Sequence, residues 1–180
     1  MYLGHAALAL VIKARAPKVP IVPLTLACYG PDWIDAALMI PTPRAGMAPY
    51  SHSLPALVIG ALMASGLYAL ITRRDGAMQI LFGWLLHWPL DLLTGLKPIV
   101  GVEPLIGLDL YHAPFADALL ETIVIAAACV VYARAAAPVR AQRKVVMALG
   151  VALVVAQLSF DVTLRRLDSL PWHPSLAFAR

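Results

Sequence analysis

Residues 84–95 read WLLHWPLDLLTG, an apolar run that carries His87 and Asp91 four positions apart. Residues at this spacing share one face of an α-helix, so both side chains can reach a single ligand. An imidazole and a carboxylate are costly to bury in apolar surroundings unless a partner compensates them. That partner can be a packing contact, a proton path or a metal ion. Pro89 lies between the two residues and predicts a kink that would change their spacing.

The rest of the chain shares this apolar character. It has 180 residues, of which 61% are hydrophobic and 13% are charged, with a mean hydropathy of +0.80. A soluble domain carries about 25% charged residues, so the composition predicts an all-α integral membrane protein. The net charge is +4, without a basic stripe interleaved with aromatics. We therefore expect membrane lipids as partners and no nucleic acid, and the oligomeric state stays open.

Apolar segments alternate with Pro- and Gly-rich breaks. They predict one domain over 1–180, a bundle of about five to six hydrophobic helices with a short first one. The segments are 2–14, 18–40, 54–72, 76–96, 114–137 and 144–164. All but the first are near the about 20 residues that cross a bilayer. The domain would consist of a site-bearing region, 1–121, C-terminal helices within 114–164, and a tail, 165–180.

The basic residues predict how these segments are oriented. More Lys and Arg residues lie on the side of the first, third and fifth connections than on the other side. The basic residues on that side are Lys13, Arg15, Lys18, Arg73, Arg74, Arg134, Arg140, Arg143 and Lys144. The opposite side has Arg44, Lys97, Arg165, Arg166 and Arg180. Because basic loops stay in the cytoplasm, we expect the N-terminus outside.

On this map the unusual polar residues collect at the outer ends of the segments. They are His5, Asp32, Asp35, His52, His87 and Asp91, followed by His112 in the next outer loop. Imidazole nitrogens and carboxylate oxygens are the ligands that zinc and similar ions take, including in helical bundles. Their convergence would form a divalent metal site, with zinc as the first choice, facing the extracytoplasmic side.

Simpler interpretations exist for several of these residues taken singly. His5 can be an interfacial residue, Asp32 a helix N-cap after Gly30-Pro31, and His52 a neighbour of the capping serines. Glu121 lies deeper, and either pairing with a basic group or orienting a ligand would explain it. Cys28 and Cys129 lie in separate apolar runs, and we expect buried thiols rather than a disulfide.

Four short motifs occur in a familiar order: YLGH at 2–5, GPDWID at 30–35, YSHS at 50–53 and HWPLD at 87–91. Together they resemble the bacterial membrane-bound, metal-dependent hydrolase family, also described as LexA-binding and inner-membrane-associated. The segment 106–121 is similar to an outer loop of small relatives. The last third of the chain contributes nothing to the resemblance.

The resemblance implies hydrolysis at a metal ion and a location in a bacterial inner membrane. Carried over by position, the metal-site residues would be His5, Asp32, Asp35, His52, His87 and Asp91. The chain departs from the family pattern at Met47, where many members have a second His, and Ser51 replaces a Thr. This departure leaves open whether one ion or two is bound, whether His112 substitutes, and whether the site is active.

Three functions are compatible with these sequence features. The first is a membrane hydrolase in which a metal-activated water attacks a phosphoester or ester at the outer leaflet, with a lipid-linked substrate as one option. Asp35 or His52 would then be the base, and His5, Asp32, His87 and Asp91 the preferred ligands. The second is a transporter of metal ions or protons. The third is a scaffold without catalysis, in which the polar residues do not converge.

Overall fold

The structure is a computed structural model that describes residues 3–39, 50–73, 75–100, 104–110, 113–135 and 140–168. Several residues used in the sequence predictions lie outside these ranges. They include Arg44, Met47, Arg74, His112 and the tail beyond residue 168.

Seven helices make up most of the described chain. They are α1 Gly4–Arg15, α2 Ile21–Cys28, α3 Gly30–Met39, α4 Leu54–Thr72, α5 Ala77–Leu92, α6 Pro114–Ala135 and α7 Arg140–Asp168. A 3-10 turn, Tyr50–His52, precedes α4. Two short antiparallel strands, β1 Lys97–Pro98 and β2 Leu105–Ile106, follow α5.

The prediction of five to six membrane-crossing helices is wrong. Within the described ranges only α4, over Leu54–Thr72, and Phe115–Ala135 of α6 are long and apolar enough to cross a membrane, by length and composition. Helices α1 and α5 have 12 and 16 residues, short of the about 20 that span a bilayer. In α7 the apolar part is limited to Lys144–Ser159.

The predicted segment 18–40 is broken in two. Pro20 precedes α2 in an extended conformation, and α2 ends after only 8 residues at Cys28. Pro31 lies in the first turn of α3, where its missing N–H costs little, but it cannot donate to α2. The continuous apolar run therefore folds as two short helices, and this break exposes the carbonyl end of α2 to the site.

Close packing around the Trp84 indole holds α3, α4 and α5 together. Gly30 of α3 and Gly60 of α4 lie against this ring, and a Cβ at Gly60 would come within 2.6 Å of it. A Cβ at Gly30 would clash with the same ring. The three elements that carry or follow the site residues therefore meet at one aromatic side chain.

Two apolar clusters bury the remaining helices. One includes Ala7 and Leu10 of α1 with Ile125 and Cys129 of α6. The other joins α1 to α2 and α5, with Leu24 at its centre. Because α1 belongs to both clusters, its first turn is fixed between the site-bearing helices and α6.

Candidate metal centre

Four side chains form a compact group at one end of α4 and α5. They are Asp32 of α3, His52 of the 3-10 turn, and His87 and Asp91 of α5. Each offers one ligand atom, and these four atoms lie within 4.8 Å of one another. Two imidazole nitrogens and two carboxylate oxygens are a donor set that a zinc-like ion accepts. The group can therefore hold a metal ion.

The distances within the group fit a tetrahedral ion. At zinc bond lengths of about 2.0–2.2 Å, neighbouring ligand atoms lie about 3.3–3.6 Å apart. The two Nε2 atoms of His52 and His87 are 3.0 Å apart, and each is 3.2 Å from Asp91 Oδ2. Asp32 Oδ1 lies 3.4 Å from His52 Nε2 and 3.7 Å from His87 Nε2. A small inward or outward adjustment of each side chain would place all four on one ion.

Helix α5 continues through Pro89, which lies inside it. His87 and Asp91 stay one turn apart on the same face, with Nε2 and Oδ2 3.2 Å from each other. The expected kink does not separate the pair.

The break between α2 and α3 orients His87. Its Nδ1 lies 2.8 Å from the carbonyl oxygen of Cys28, the last residue of α2. Because a carbonyl only accepts, Nδ1 carries the proton and Nε2 presents its lone pair to the group. Such a hydrogen bond on the second ring nitrogen is what fixes metal-binding histidines.

Asp35 orients His52 in the same manner. His52 Nδ1 lies 3.0 Å from Asp35 Oδ2, and the Ser51 hydroxyl donates to the other oxygen of that carboxylate. His52 is 2% exposed, so its ring is held by these contacts rather than by water. A carboxylate behind a histidine raises the basicity of the nitrogen that faces the ion.

Charges around His52 favour a cation between the two rings. Burial lowers the pKa of His52, but hydrogen bonds with the carboxylates of Asp32, Asp35 and Asp91 outweigh burial and raise it to about 10. Two unprotonated Nε2 atoms at 3.0 Å would repel each other through their lone pairs. Either a proton or a metal ion between them removes this repulsion.

His5 borders the group. Its ring stacks on the His87 ring, with centroids 3.9 Å apart, and its Nε2 lies 3.4 Å from Asp91 Oδ1. That oxygen is the one turned away from the two other histidines. His5 Nδ1 is buried with no hydrogen-bond partner among the described residues. The placement suits a residue that fixes the Asp91 carboxylate.

Lys97 of β1 also contacts the group, although its place in the sequence marks it only as a basic loop residue. Its Nζ lies 2.7 Å from Asp91 Oδ2. No motif marks Lys97, because its position depends on the short β-hairpin that returns it to the site. The Cys28 carbonyl was missed for a similar reason, since a backbone group carries no sequence signal.

Glu121 of α6 accepts hydrogen bonds from the backbone at the start of α1. Its Oε2 accepts hydrogen bonds from the backbone N–H groups of Leu3 and Gly4, each at 3.2 Å, and Gln157 of α7 accepts a further one from Leu3 at 3.1 Å. A carboxylate at a helix N-terminus satisfies its free N–H groups and complements its dipole. Glu121 therefore positions the turn that carries His5.

The structure brings all six predicted site residues together. Asp32, His52, His87 and Asp91 form the group able to hold an ion, while His5 and Asp35 contact its members from outside. The structure thus contains a group of His and Asp side chains that could hold a metal ion, in this part of the chain. The identity of the ion and the separate roles of the six residues stay predictions.

No protein-family profile, no curated protein and no solved structure matches the chain.

Proposed function

We propose that this chain is a metal-dependent hydrolase that acts at a membrane. The observation that carries the proposal is the set of four ligand atoms, from two histidines and two aspartates, within 4.8 Å of one another. Zinc is the ion that best suits two imidazoles with carboxylates in a tetrahedral arrangement. The order of the four sequence motifs supports hydrolysis as the reaction.

Burial divides the group into two kinds of residue. His52, His87 and Asp91 are buried, whereas the side chain of Asp32 is 42% exposed. A catalytic zinc keeps one position open for water beside three protein ligands. In our proposal the three buried residues are those ligands, and Asp32 at the open edge accepts the proton of the water. The ion would lower the pKa of that water towards about 7.

The residues around the ligands have supporting roles in this scheme. Asp35 holds the His52 ring through Nδ1, and the Cys28 carbonyl holds His87 in the same way. His52 has both ring nitrogens engaged, so we assign it to the ion rather than to proton transfer. The scheme thereby moves the base from Asp35 or His52 to Asp32.

A membrane location is part of the proposal. Only 11% of the apolar window in α4 and 28% of that in α6 is buried within the chain, whereas a core helix of a soluble protein is mostly buried. The lipid-exposed candidates on α4 include Leu62, Met63 and Leu70. Both helices begin on the site side and have a basic residue at the far end, Arg73 just after α4 and Arg134 in the last turn of α6. This favours a site at the extracytoplasmic side of a bacterial inner membrane, near lipid or lipid-linked substrates.

The experiment is metal analysis combined with a hydrolysis assay on the full chain purified in detergent. We expect about one zinc per chain in the wild type and turnover that a chelator abolishes and zinc restores. Asp91→Asn should lose most of the zinc, whereas Asp32→Asn should keep it and lose turnover. The control is Asp75→Asn, an exposed aspartate remote from the group.

The two alternatives give different results. A scaffold binds no zinc in the wild type, and the convergence of the six residues already argues against it. A transporter binds zinc but hydrolyses none of a panel of phosphoesters and carboxylic esters. Either outcome would contradict the proposed hydrolase.

A further inference from the structure

A lysine ammonium lies at the candidate metal centre, on Lys97 of β1. Its Nζ is 2.7 Å from Asp91 Oδ2, the oxygen that also lies 3.2 Å from both histidine Nε2 atoms. We propose that Lys97 binds an anionic oxygen of the substrate, so that the substrate is a phosphoester rather than a carboxylic ester. This inference rests on the proposed hydrolase function.

Backbone hydrogen bonds attach the β-hairpin that carries Lys97 to the chain beside His52 and beside Asp91. The N–H of Leu54, two residues after His52, donates to the carbonyl of Ile99 at 3.0 Å. The N–H of Leu108, beyond β2, donates to the carbonyl of Leu92 at 2.9 Å, next to Asp91. The β-hairpin that carries Lys97 is therefore attached at both ends to the metal centre.

The distance between the ammonium and an ion matches one phosphoryl group. Lys97 Nζ lies 2.7 Å from Asp91 Oδ2, and that oxygen would be about 2.0–2.2 Å from a zinc ion. The ammonium and the ion are then at most about 5 Å apart. Two non-bridging oxygens of one phosphoryl group can contact both cations at this separation. The Lys97 side chain is 13% exposed, so part of it borders solvent.

Charge also favours an anionic substrate. In the proposed ligand set Asp91 is the one carboxylate on the ion, so a divalent ion held by His52, His87 and Asp91 keeps a positive charge beside that of Lys97. Once Asp91 shares its charge with an ion, its hold on Lys97 weakens and the ammonium can turn to another anion. Lysine and a metal ion acting together are a common clamp for a phosphoryl group. A neutral carboxylic ester offers one carbonyl oxygen and gives the second cation nothing to bind.

The reaction implied is hydrolysis at phosphorus. The oxygen of water forms a bond to phosphorus and the bond from phosphorus to the alcohol oxygen breaks with its electron pair. One water proton passes through the base to the departing alcohol oxygen, and the other stays on the phosphate product. Lys97 binds the non-bridging oxygens whose charge grows during the attack.

The test compares Lys97→Met, Lys97→Arg and Lys144→Met in the zinc-loaded full chain. Lys144 is an exposed lysine of α7 and serves as the control. The probes are bis(4-nitrophenyl) phosphate, phosphatidylglycerol in detergent micelles, and 4-nitrophenyl acetate. We expect Lys97→Met to keep its zinc and to lose at least 100-fold in kcat/KM for a phosphodiester, with Lys97→Arg recovering at least tenfold of that loss. Lys144→Met should match the wild type.

Inorganic phosphate provides a second readout that needs no turnover. The dissociation constant of phosphate from the zinc-loaded chain, measured by isothermal titration calorimetry, should rise at least tenfold in Lys97→Met and stay unchanged in Lys144→Met. Turnover of the soluble diester, the lipid or both supports the proposal, and the pattern tells which source of phosphoester the site takes.

Failure of this inference differs from failure of the proposed function. A wild-type protein that binds zinc and hydrolyses only 4-nitrophenyl acetate would overturn the assignment of Lys97 while leaving a hydrolase. Unchanged phosphodiester turnover in Lys97→Met would do the same. If the Lys97 variants do not fold, the wild-type preference between the two ester classes still decides the question. A wild type without zinc would instead remove the proposed function itself.

Discussion

At the scale of single residues, the two site histidines owe their orientation to their second ring nitrogens. His87 donates from Nδ1 to the Cys28 carbonyl, and His52 donates to the Asp35 carboxylate. Both rings then aim Nε2 at the same point, 3.0 Å from each other. A free imidazole can bind a metal ion through either ring nitrogen. Because Nδ1 of each histidine is engaged, Nε2 is the nitrogen that remains for an ion.

Removing the partner of His52 should weaken metal binding without abolishing it. Asp35→Ala removes the charged acceptor behind Nδ1 and leaves the neutral Ser51 hydroxyl, 2.9 Å from that nitrogen. Loss of such a carboxylate partner typically costs about 10–100-fold in metal affinity. We expect zinc titration to give that rise in Kd with the stoichiometry unchanged at saturation. Asp75→Ala is the matched control. A complete loss of zinc would instead make Asp35 a ligand, and an unchanged Kd would remove its orienting role.

At the scale of helices, glycines set how closely α3, α4 and α5 approach each other. Gly60 faces the Trp84 indole, whereas a Cβ at Gly66 of the same helix would meet nothing within 4 Å. The difference lies in the neighbour and not in the backbone, since both glycines lie within α4. Substitutions at Gly60 and Gly66 therefore distinguish the effect of helix propensity on stability from the effect of packing.

Gly60→Ala and Gly66→Ala should change stability in opposite directions. The methyl group at Gly60 overpacks the contact with Trp84, at an expected cost of about 1–3 kcal/mol in the free energy of unfolding. Gly66→Ala should stabilise α4 by about 0.5–1 kcal/mol, because alanine favours the helix. Denaturant unfolding in detergent measures both. Equal effects at the two positions would mean that the Trp84 contact does not hold the helices together.

The sequence predicted correctly those elements that a local pattern of residues specifies. The prediction of 54–72 coincides with α4, because an uninterrupted apolar run has no break to misplace. In 18–40 the same apolarity concealed a break at Pro31, since hydropathy does not measure backbone hydrogen bonding. Periodicity and motif order indicated His87 and Asp91, whereas the contact of Lys97 depends on a hairpin that four strand residues form. Tertiary contacts of that kind leave no local pattern.

At the scale of the whole molecule, apolar side chains cover much of the surface of α4. Leu62 is 59% exposed and Leu70 is 83% exposed. In water such a surface would drive association, whereas hydrocarbon around it removes the cost. The site lies at the beginning of this helix, so a bilayer around α4 would place the metal centre close to the lipid headgroups.

A charge near the middle of α4 should reduce membrane retention more than one near its end. Leu62→Arg introduces a charge at the helix centre, at a cost of about 2.5–3.5 kcal/mol for insertion. Leu70→Arg lies two residues before the end of α4 at Thr72, where a long side chain can reach the interface. Fractionation after a carbonate wash should find Leu62→Arg depleted from membranes and Leu70→Arg near the wild type. Wild-type protein in the soluble fraction would contradict the membrane assignment.

X-ray absorption at the zinc edge tests the central claim most directly, because it reports the atoms bound to the ion in the full chain. We expect a shell of nitrogen and oxygen at about 2.0–2.2 Å with the outer-shell scattering of two imidazoles, and loss of one imidazole in His87→Ala. Both described cysteines are buried with free thiols and lie outside the group. A sulfur ligand at about 2.3 Å, or a spectrum that His87→Ala leaves unchanged, would contradict a metal centre built from His52, His87 and Asp91.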